Sequence, residues 1–339
     1  MKNVLVSGYI GFDNFGDEAI FYALETHLKS LNYNVSVLCN NKKKVKENYQ
    51  VKAYHYKKPF QILCAILKCN VLISGGGSLL QNKTSNFSLY YYLFIILLAK
   101  LFFKKVIIFA QGIETINGFF NKFLTKSILK KIDYISVRDL NSSNLLKKWG
   151  IKADVVADPV YSLLELVKIQ ENKTGLIVQL RDSKDISDKF LEILADSIKK
   201  NCLEKDIKVF SLHNKFDVEN CYKLINILKE KGVEAKFLSA RSIDDTIAIF
   251  NNSKYVISTR FHGVLVANAL KSRTFALSYD KKVETIAKEL EIDYIDIKNY
   301  KKEIFEEKLE KYFNLSVNEN VVEHRKFYWD CFDAALENN

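Results

Sequence analysis

Runs of five or six residues rich in valine and isoleucine recur at 3–7, 34–38, 70–74, 105–110, 133–137 and 153–157, each separated from the next by a stretch of helical periodicity. Short apolar runs of this kind are strands covered on both faces, and strands that alternate with helices build a parallel sheet. After Asp158-Pro159 the pattern loosens into a charged stretch around 165–174, then restarts at 175–180, 207–212, 234–238, 254–258, 273–278 and 293–296. Two such series predict an α/β chain of two Rossmann-like, doubly wound domains, 1–165 and 170–315. A last helix over 318–336 carries Val321, Val322, Phe327, Trp329, Phe332 and Leu336 among charges. Those apolar residues need a surface, and the expectation is that the helix crosses back to the first domain.

Folds of this type bind ligands beyond the carboxyl ends of their strands. Six of the 12 glycines sit there, in two loops: Gly8, Gly11 and Gly16 in S-G-Y-I-G-F-D-N-F-G-D-E, and Gly75, Gly76 and Gly77 in S-G-G-G-S-L-L-Q. The second has the makings of an anion nest of backbone amides. The first is not a dinucleotide fingerprint, because Asp17 and Glu18 at a helix start suit the helix dipole but repel a diphosphate. Hydroxyl recognition by Asn14 and Asp17 is one reading of it; an N-cap with a tight turn is the other.

Only six of the 51 basic residues are arginine, so each arginine asks for a reason. Arg138, Arg181 and Arg260 follow strand ends in V-R-D, L-R-D and S-T-R-F-H-G. A lone arginine is usually a salt bridge; three in equivalent places favour a convergent anion site. His27 lies in the first helix, His55 and His213 in loops and His324 in the last helix, none with a partner visible in sequence. His262 stands two residues after Arg260 at a strand-to-helix turn, where an imidazole can give and take protons. A core or capping histidine is the alternative.

The net charge of +11 is carried by lysine. The lysine excess reads as a compositional habit spread along the chain. No zinc-finger, RRM or KH signature appears, which argues against nucleic acid. Six cysteines without a C-x-x-C pair read as reduced, mostly buried thiols. The chain opens Met-Lys-Asn directly before a strand, with no signal-peptide pattern, so a cytoplasmic location is expected. The uncharged stretch 84–99, followed by Lys100, Lys104 and Lys105, is too short to span a bilayer. It is either a helix buried on the sheet or, within 84–105, a peripheral contact with the inner face of the membrane.

Taken in order, G-Y-I-G-F-D-N-F-G-D-E (8–18), S-G-G-G-S-L-L-Q (74–81), A-Q-G-I (110–113), S-V-R-D (136–139), A-D-P-V (157–160), S-T-R-F-H-G (258–263) and Y-D-x-K-V (279–283) resemble the polysaccharide pyruvyl transferase family. Phe261 stands where relatives often carry leucine. The resemblance implies a glycosyltransferase-B-like pair of Rossmann domains with the active site in the interdomain cleft. It implies transfer of pyruvate from phosphoenolpyruvate, as a ketal, to a sugar of a cell-surface polysaccharide or its lipid-linked precursor. By motif match, Arg138, Arg260 and His262 are the expected donor site. The residue chemistry agrees: a donor with a phosphate and a carboxylate calls for forked guanidiniums, with Arg181 as a third. Acceptor hydroxyls are expected to fall to Asn14, Asp17, Ser78, Gln81 and Gln111, with Gly75, Gly76 and Gly77 as further substrate-binding positions. Nothing in the sequence requires a metal or a cofactor beyond the donor substrate.

Two other functions are compatible with the same motifs. One is a glycosyltransferase of this fold using a nucleotide sugar, although the spaced glutamate pair common in retaining members is missing here. The other is a binding or scaffold protein that keeps the fold without turnover.

Overall fold

Among the described residues, 2–83, 85–314 and 326–337 of the computed structural model, the alternating runs assemble into two parallel sheets of seven and six strands. They belong to two compact units, Met1–Glu165 with Arg325–Asn339, and Leu166–His324.

The first unit runs β1 (Asn3–Ser7), α1 (Phe15–Ser30), β2 (Asn34–Cys39), α2 (Lys42–Tyr49), β3 (Lys52–His55), α3 (Pro59–Lys68), β4 (Val71–Gly75), α4 (Asn86–Leu101), β5 (Lys105–Gln111), α5 (Phe119–Leu129), β6 (Tyr134–Val137), α6 (Leu140–Lys148), β7 (Asp154–Val155) and α7 (Val160–Leu164). Its strand order is β3-β2-β1-β4-β5-β6-β7. Val4, Leu5 and Val6 of β1 are all buried, as a strand covered on both faces requires. The edge strand β3, Lys-Ala-Tyr-His, has no apolar run and was not among the expected strands. It is held by its register with β2, Ala53 opposite Val37.

The second unit runs β8 (Thr174–Gln179), α8 (Asp188–Asn201), β9 (Ile207–Ser211), α9 (Val218–Glu230), β10 (Lys236–Ser239), α10 (Ile243–Asn252), β11 (Ser253–Ser258), α11 (Phe261–Ala269), β12 (Arg273–Ser278), α12 (Lys281–Glu289), β13 (Tyr294–Asp296) and α13 (Lys302–Asn314), with strand order β10-β9-β8-β11-β12-β13. Helix starts follow capping chemistry: Ser187, Ser242 and Asp280 accept backbone N–H groups of α8, α10 and α12.

The expected helix over 318–336 is described only in its last part, α14 (Asp330–Glu337); Val321 and Val322 lie outside the described residues. The segment packs within the first unit. Trp329 stacks on His27 at 3.8 Å and Phe332 meets Phe109 at 4.8 Å. His27 Nε2 lies 2.7 Å from Asp333 Oδ1, so this histidine has the partner that sequence could not name.

Candidate functional site

In a doubly wound sheet the strand order reverses at one point, and the loops leaving the two strands there part to opposite faces and open a crevice. The reversal falls between β1 and β4 in the first sheet and between β8 and β11 in the second. The loops that leave these four strands are the two glycine loops, the Arg181 loop and the Arg260-His262 turn. Asn14, Asp17, Gly75–Gly77, Arg181, Arg260 and His262 lie on these segments, whereas Gln111 ends β5 and Arg138 follows β6.

In the second unit the organising group is Gln179, fully buried at the end of β8. Its Oε1 accepts from Ser258 Oγ at 2.9 Å, Thr259 Oγ1 at 3.2 Å and the Arg260 N–H at 3.0 Å, and its Nε2 donates to Asp217 Oδ2 at 3.0 Å. Asp217, 0% exposed, also accepts the N–H groups of Leu212 and His213, each at 3.0 Å. Arg260 Nε donates to both its oxygens at 2.9 Å, and Nη2 donates to Oδ1 as well. Burial pushes the Asp217 carboxyl up, and Arg260 with the two backbone donors pulls it down. The outcome is a guanidinium whose plane is fixed from behind while the side chain keeps 14% exposure.

Arg181 is fixed separately. Its N–H donates to Thr259 Oγ1 at 2.8 Å, its Nη1 donates to Tyr279 Oη at 2.6 Å, and Asn220 Nδ2 donates to its carbonyl at 2.9 Å. Burial, with Asp280, raises the Tyr279 phenol above its usual range, while the charges of Arg181 and Arg260 both draw it back. Tyr279 therefore sits within the field of both arginines. His262 occupies the first turn of α11, partly exposed, with its ring at 81° to that of Phe261. Gly263 lets this turn close, because a Cβ there would lie 2.2 Å from Ser258 Oγ.

The first unit brings its two glycine loops together. A Cβ on Gly76 would meet Ile20 of α1 at 2.4 Å and one on Gly77 would meet Asp17 Oδ1 at 2.1 Å, and both glycines have positive φ, +71° and +64°. The start of α1 thus lies directly on the Gly75–Gly77 loop. Asn14 is the N-cap of α1, but its side chain makes no cap bond and donates instead to Asp17 Oδ2. Glu18 Oε1 accepts the Gly11 N–H at 2.7 Å and Oε2 accepts Tyr49 Oη at 2.7 Å. Burial raises the Glu18 carboxyl.

Three of the predicted residues are engaged by the protein's own groups. Arg138 belongs to the first unit, with a side chain 6% exposed, donating to Asp158 Oδ2 at 3.1 Å and Ser78 Oγ at 3.3 Å. Gln111 is fully buried and donates to the Ser74 carbonyl and hydroxyl, each at 2.9 Å, which ties β5 to β4. Gln81 turns its Oε1 to the Lys83 N–H at 2.7 Å. Sequence reasoning gave no role to Asp217, Gln179, Tyr279 or Asp158. Tyr279 and Asp158 lie inside quoted motifs, whereas a lone aspartate at 217 carries no local signal.

Solved structures with the same fold include the UDP-GlcNAc 2-epimerase of Methanocaldococcus jannaschii, 15% identical over 97% of this chain and 95% of that one, with a TM-score of 0.62. The UDP-GlcNAc 2-epimerase of Neisseria meningitidis bound to UDP-GlcNAc is 14% identical over 100% of both chains, TM-score 0.62. A glycosyltransferase of Rickettsia africae is 15% identical over 100% of this chain and 99% of that one, TM-score 0.56. At such identities the likeness is one of fold, glycosyltransferase-B-like. Among curated protein sequences none matches significantly. The sequence profile of one family matches residues 14–281, a span that takes in the Asn14-Asp17 loop, the glycine loop, Arg138, Arg181, the Arg260-His262 turn and Tyr279: the chain belongs to the polysaccharide pyruvyl transferase family.

Proposed function

We propose that this transferase moves the pyruvyl group of phosphoenolpyruvate onto two hydroxyls of a sugar in a cell-surface polysaccharide or its lipid-linked precursor, forming a ketal. The observation that carries this reading is the pair of fixed guanidiniums, Arg181 and Arg260, around Tyr279, with His262 opening α11 beside them. Such a pair suits a small donor bearing both a phosphate and a carboxylate, and the start of α11 adds to the attraction for anions.

In this reading His262, as the imidazolium, protonates the methylene carbon of the donor, which makes C2 electrophilic. One sugar hydroxyl adds to C2 and loses its proton to His262. The C2–O bond to phosphate breaks, the second hydroxyl adds to C2 and closes the ring, and its proton leaves on the departing inorganic phosphate. Arg260 and Arg181 neutralise the donor's charge throughout. Acceptor hydroxyls are assigned to Asn14, Asp17, Ser78 and the Gly75–Gly77 amides. For Arg138, bound to Asp158 and Ser78, we propose a positioning role that holds Ser78 in place. With guanidiniums supplying the positive charge, activity is expected to persist in EDTA; its loss and recovery with Mg²⁺ would contradict that point.

The test is phosphate release from phosphoenolpyruvate in the presence of a glycolipid extract, with pyruvate recovered on the sugar. His262→Ala is expected to fall at least about a hundredfold, the usual scale of a lost acid–base group. A second reading, a nucleotide-sugar transferase, draws on the Neisseria epimerase bound to UDP-GlcNAc. A rise in Tm with UDP-GlcNAc and none with phosphoenolpyruvate would select it. Equal phosphate release by wild type and His262→Ala would favour a non-catalytic binding protein.

A further inference from the structure

The charge of this chain is not spread along it. Residues 48–132 contain twelve lysines, no arginine and one acid, Glu114, so this quarter of the sequence carries the whole net charge of +11. The remainder balances 39 bases against 39 acids. That corrects the reading of the lysine excess as evenly scattered. Eight of the nine phenylalanines exposed among the described residues fall in the same span.

The span folds α3, α4 and α5 onto one face of the first sheet, where Ile66, Leu93 and Leu129 share a buried cluster. On the outer side of α4, Phe87, Tyr90, Phe94 and Leu101 follow helical spacing and are 76%, 37%, 53% and 64% exposed. Beside them α5 exposes Phe119, Phe120 and Phe123, and Tyr90 Oη donates to Asn121 Oδ1 at 2.6 Å, joining the two helices. Lys122 stands between these phenylalanines in sequence and Lys130 and Lys131 follow the end of α5; all three are exposed, and neither they nor Lys126 form an ion pair among the described residues.

An apolar stripe of this kind needs a cover, and charge decides which. A second copy would set lysines against lysines. An anionic bilayer complements both halves: phenylalanines enter the acyl boundary while lysines reach headgroup phosphates. The 16 residues of α4 span about 24 Å, short of the ~30 Å core, and among the described residues no helix is long and apolar enough to cross a membrane. We propose that the α4–α5 face of the first unit seats in the plane of an anionic membrane surface.

The test is co-sedimentation of the full chain with vesicles of phosphatidylcholine alone or with about a third phosphatidylglycerol, a composition chosen so that the negative surface potential is strong. Binding is expected to the anionic vesicles only, weakening as salt screens the lysines. Combined Lys122→Glu, Lys126→Glu and Lys130→Glu should lower partitioning about a hundredfold, at roughly 1 kcal/mol for each lysine lost. The same change in net charge on the second unit, Lys189→Glu, Lys199→Glu and Lys229→Glu, should leave partitioning within about threefold, since those lysines are not part of the α4–α5 face. Phe119→Ser, Phe120→Ser and Phe123→Ser together should also release the protein, with an unchanged melting curve showing that these exposed positions do not unfold it. Equal binding to both vesicle types, or retention by the α5 variants, would overturn the proposal. So would a dimer that ignores vesicles and is split by the serine variant, since that assigns the face to a second copy.

Discussion

Asp217 is the residue whose loss the Arg260 cluster of the second unit should feel most. It is fully buried, and Arg260, Gln179 and two backbone amides all donate to it. Asp217→Asn replaces an acceptor oxygen with a donor facing donors. We expect a stability loss of about 1–3 kcal/mol in denaturant titrations and a fall in kcat/KM for phosphoenolpyruvate, through an Arg260 no longer fixed in plane. Arg260→Lys keeps the charge but has no fork, and should lose at least about tenfold in kcat/KM. Glu18 supplies a pH signature. Its folded-state pKa is raised by burial, so the folded chain holds this proton to higher pH than the unfolded chain does. The stabilisation is full below the unfolded value near 4.5 and is lost as pH rises through the folded value. Glu18→Gln, which keeps an acceptor for the Gly11 N–H, should flatten that part of the stability–pH curve measured by urea unfolding.

Among the elements, the turn into α11 depends on contact between Gly263 and Ser258. Gly263→Ala should destabilise by about 1–3 kcal/mol through overpacking, and adding Ser258→Ala should recover part of it, a coupling that a double-mutant cycle measures. α14 makes the opposite kind of contact. Phe332, 2% exposed against Phe109, should cost about 3–5 kcal/mol as Phe332→Ala, read as earlier unfolding of the first unit. The elements also show what the sequence can and cannot carry. Strands covered on both faces were legible from their valines and isoleucines, since burial on two sides leaves no room for alternation. β3 escaped because its Lys52 is exposed and its pairing with β2, not its composition, makes it a strand. The glycine loops, Arg181, Arg260 and His262 were legible as residues at strand ends. Asp217 was not, because it lies 43 positions before Arg260 and only the sheet order, with β8 between β9 and β11, brings the two together through Gln179.

At the scale of the molecule each unit has its own sheet and buried cluster, which gives ligand binding a local signature. If phosphoenolpyruvate binds at Arg181 and Arg260, amide hydrogen exchange should slow in residues 179–182 and 258–263 of the second unit before it changes in the first. Slowing confined to the Gly75–Gly77 loop would move the donor to the other sheet. The first unit, by contrast, is discontinuous in sequence, since Phe109 and His27 are covered by Trp329 and Phe332. On the ribosome that order has a cost in time. Once residue 165 has been made, about 160 more must be added before the covering segment exists, roughly ten to thirty seconds at ordinary elongation rates. Through that interval the nascent first unit shows an aromatic surface with nothing on it. The unit begun first is the last to be finished, and a chain cut short near its C-terminus is damaged at its beginning.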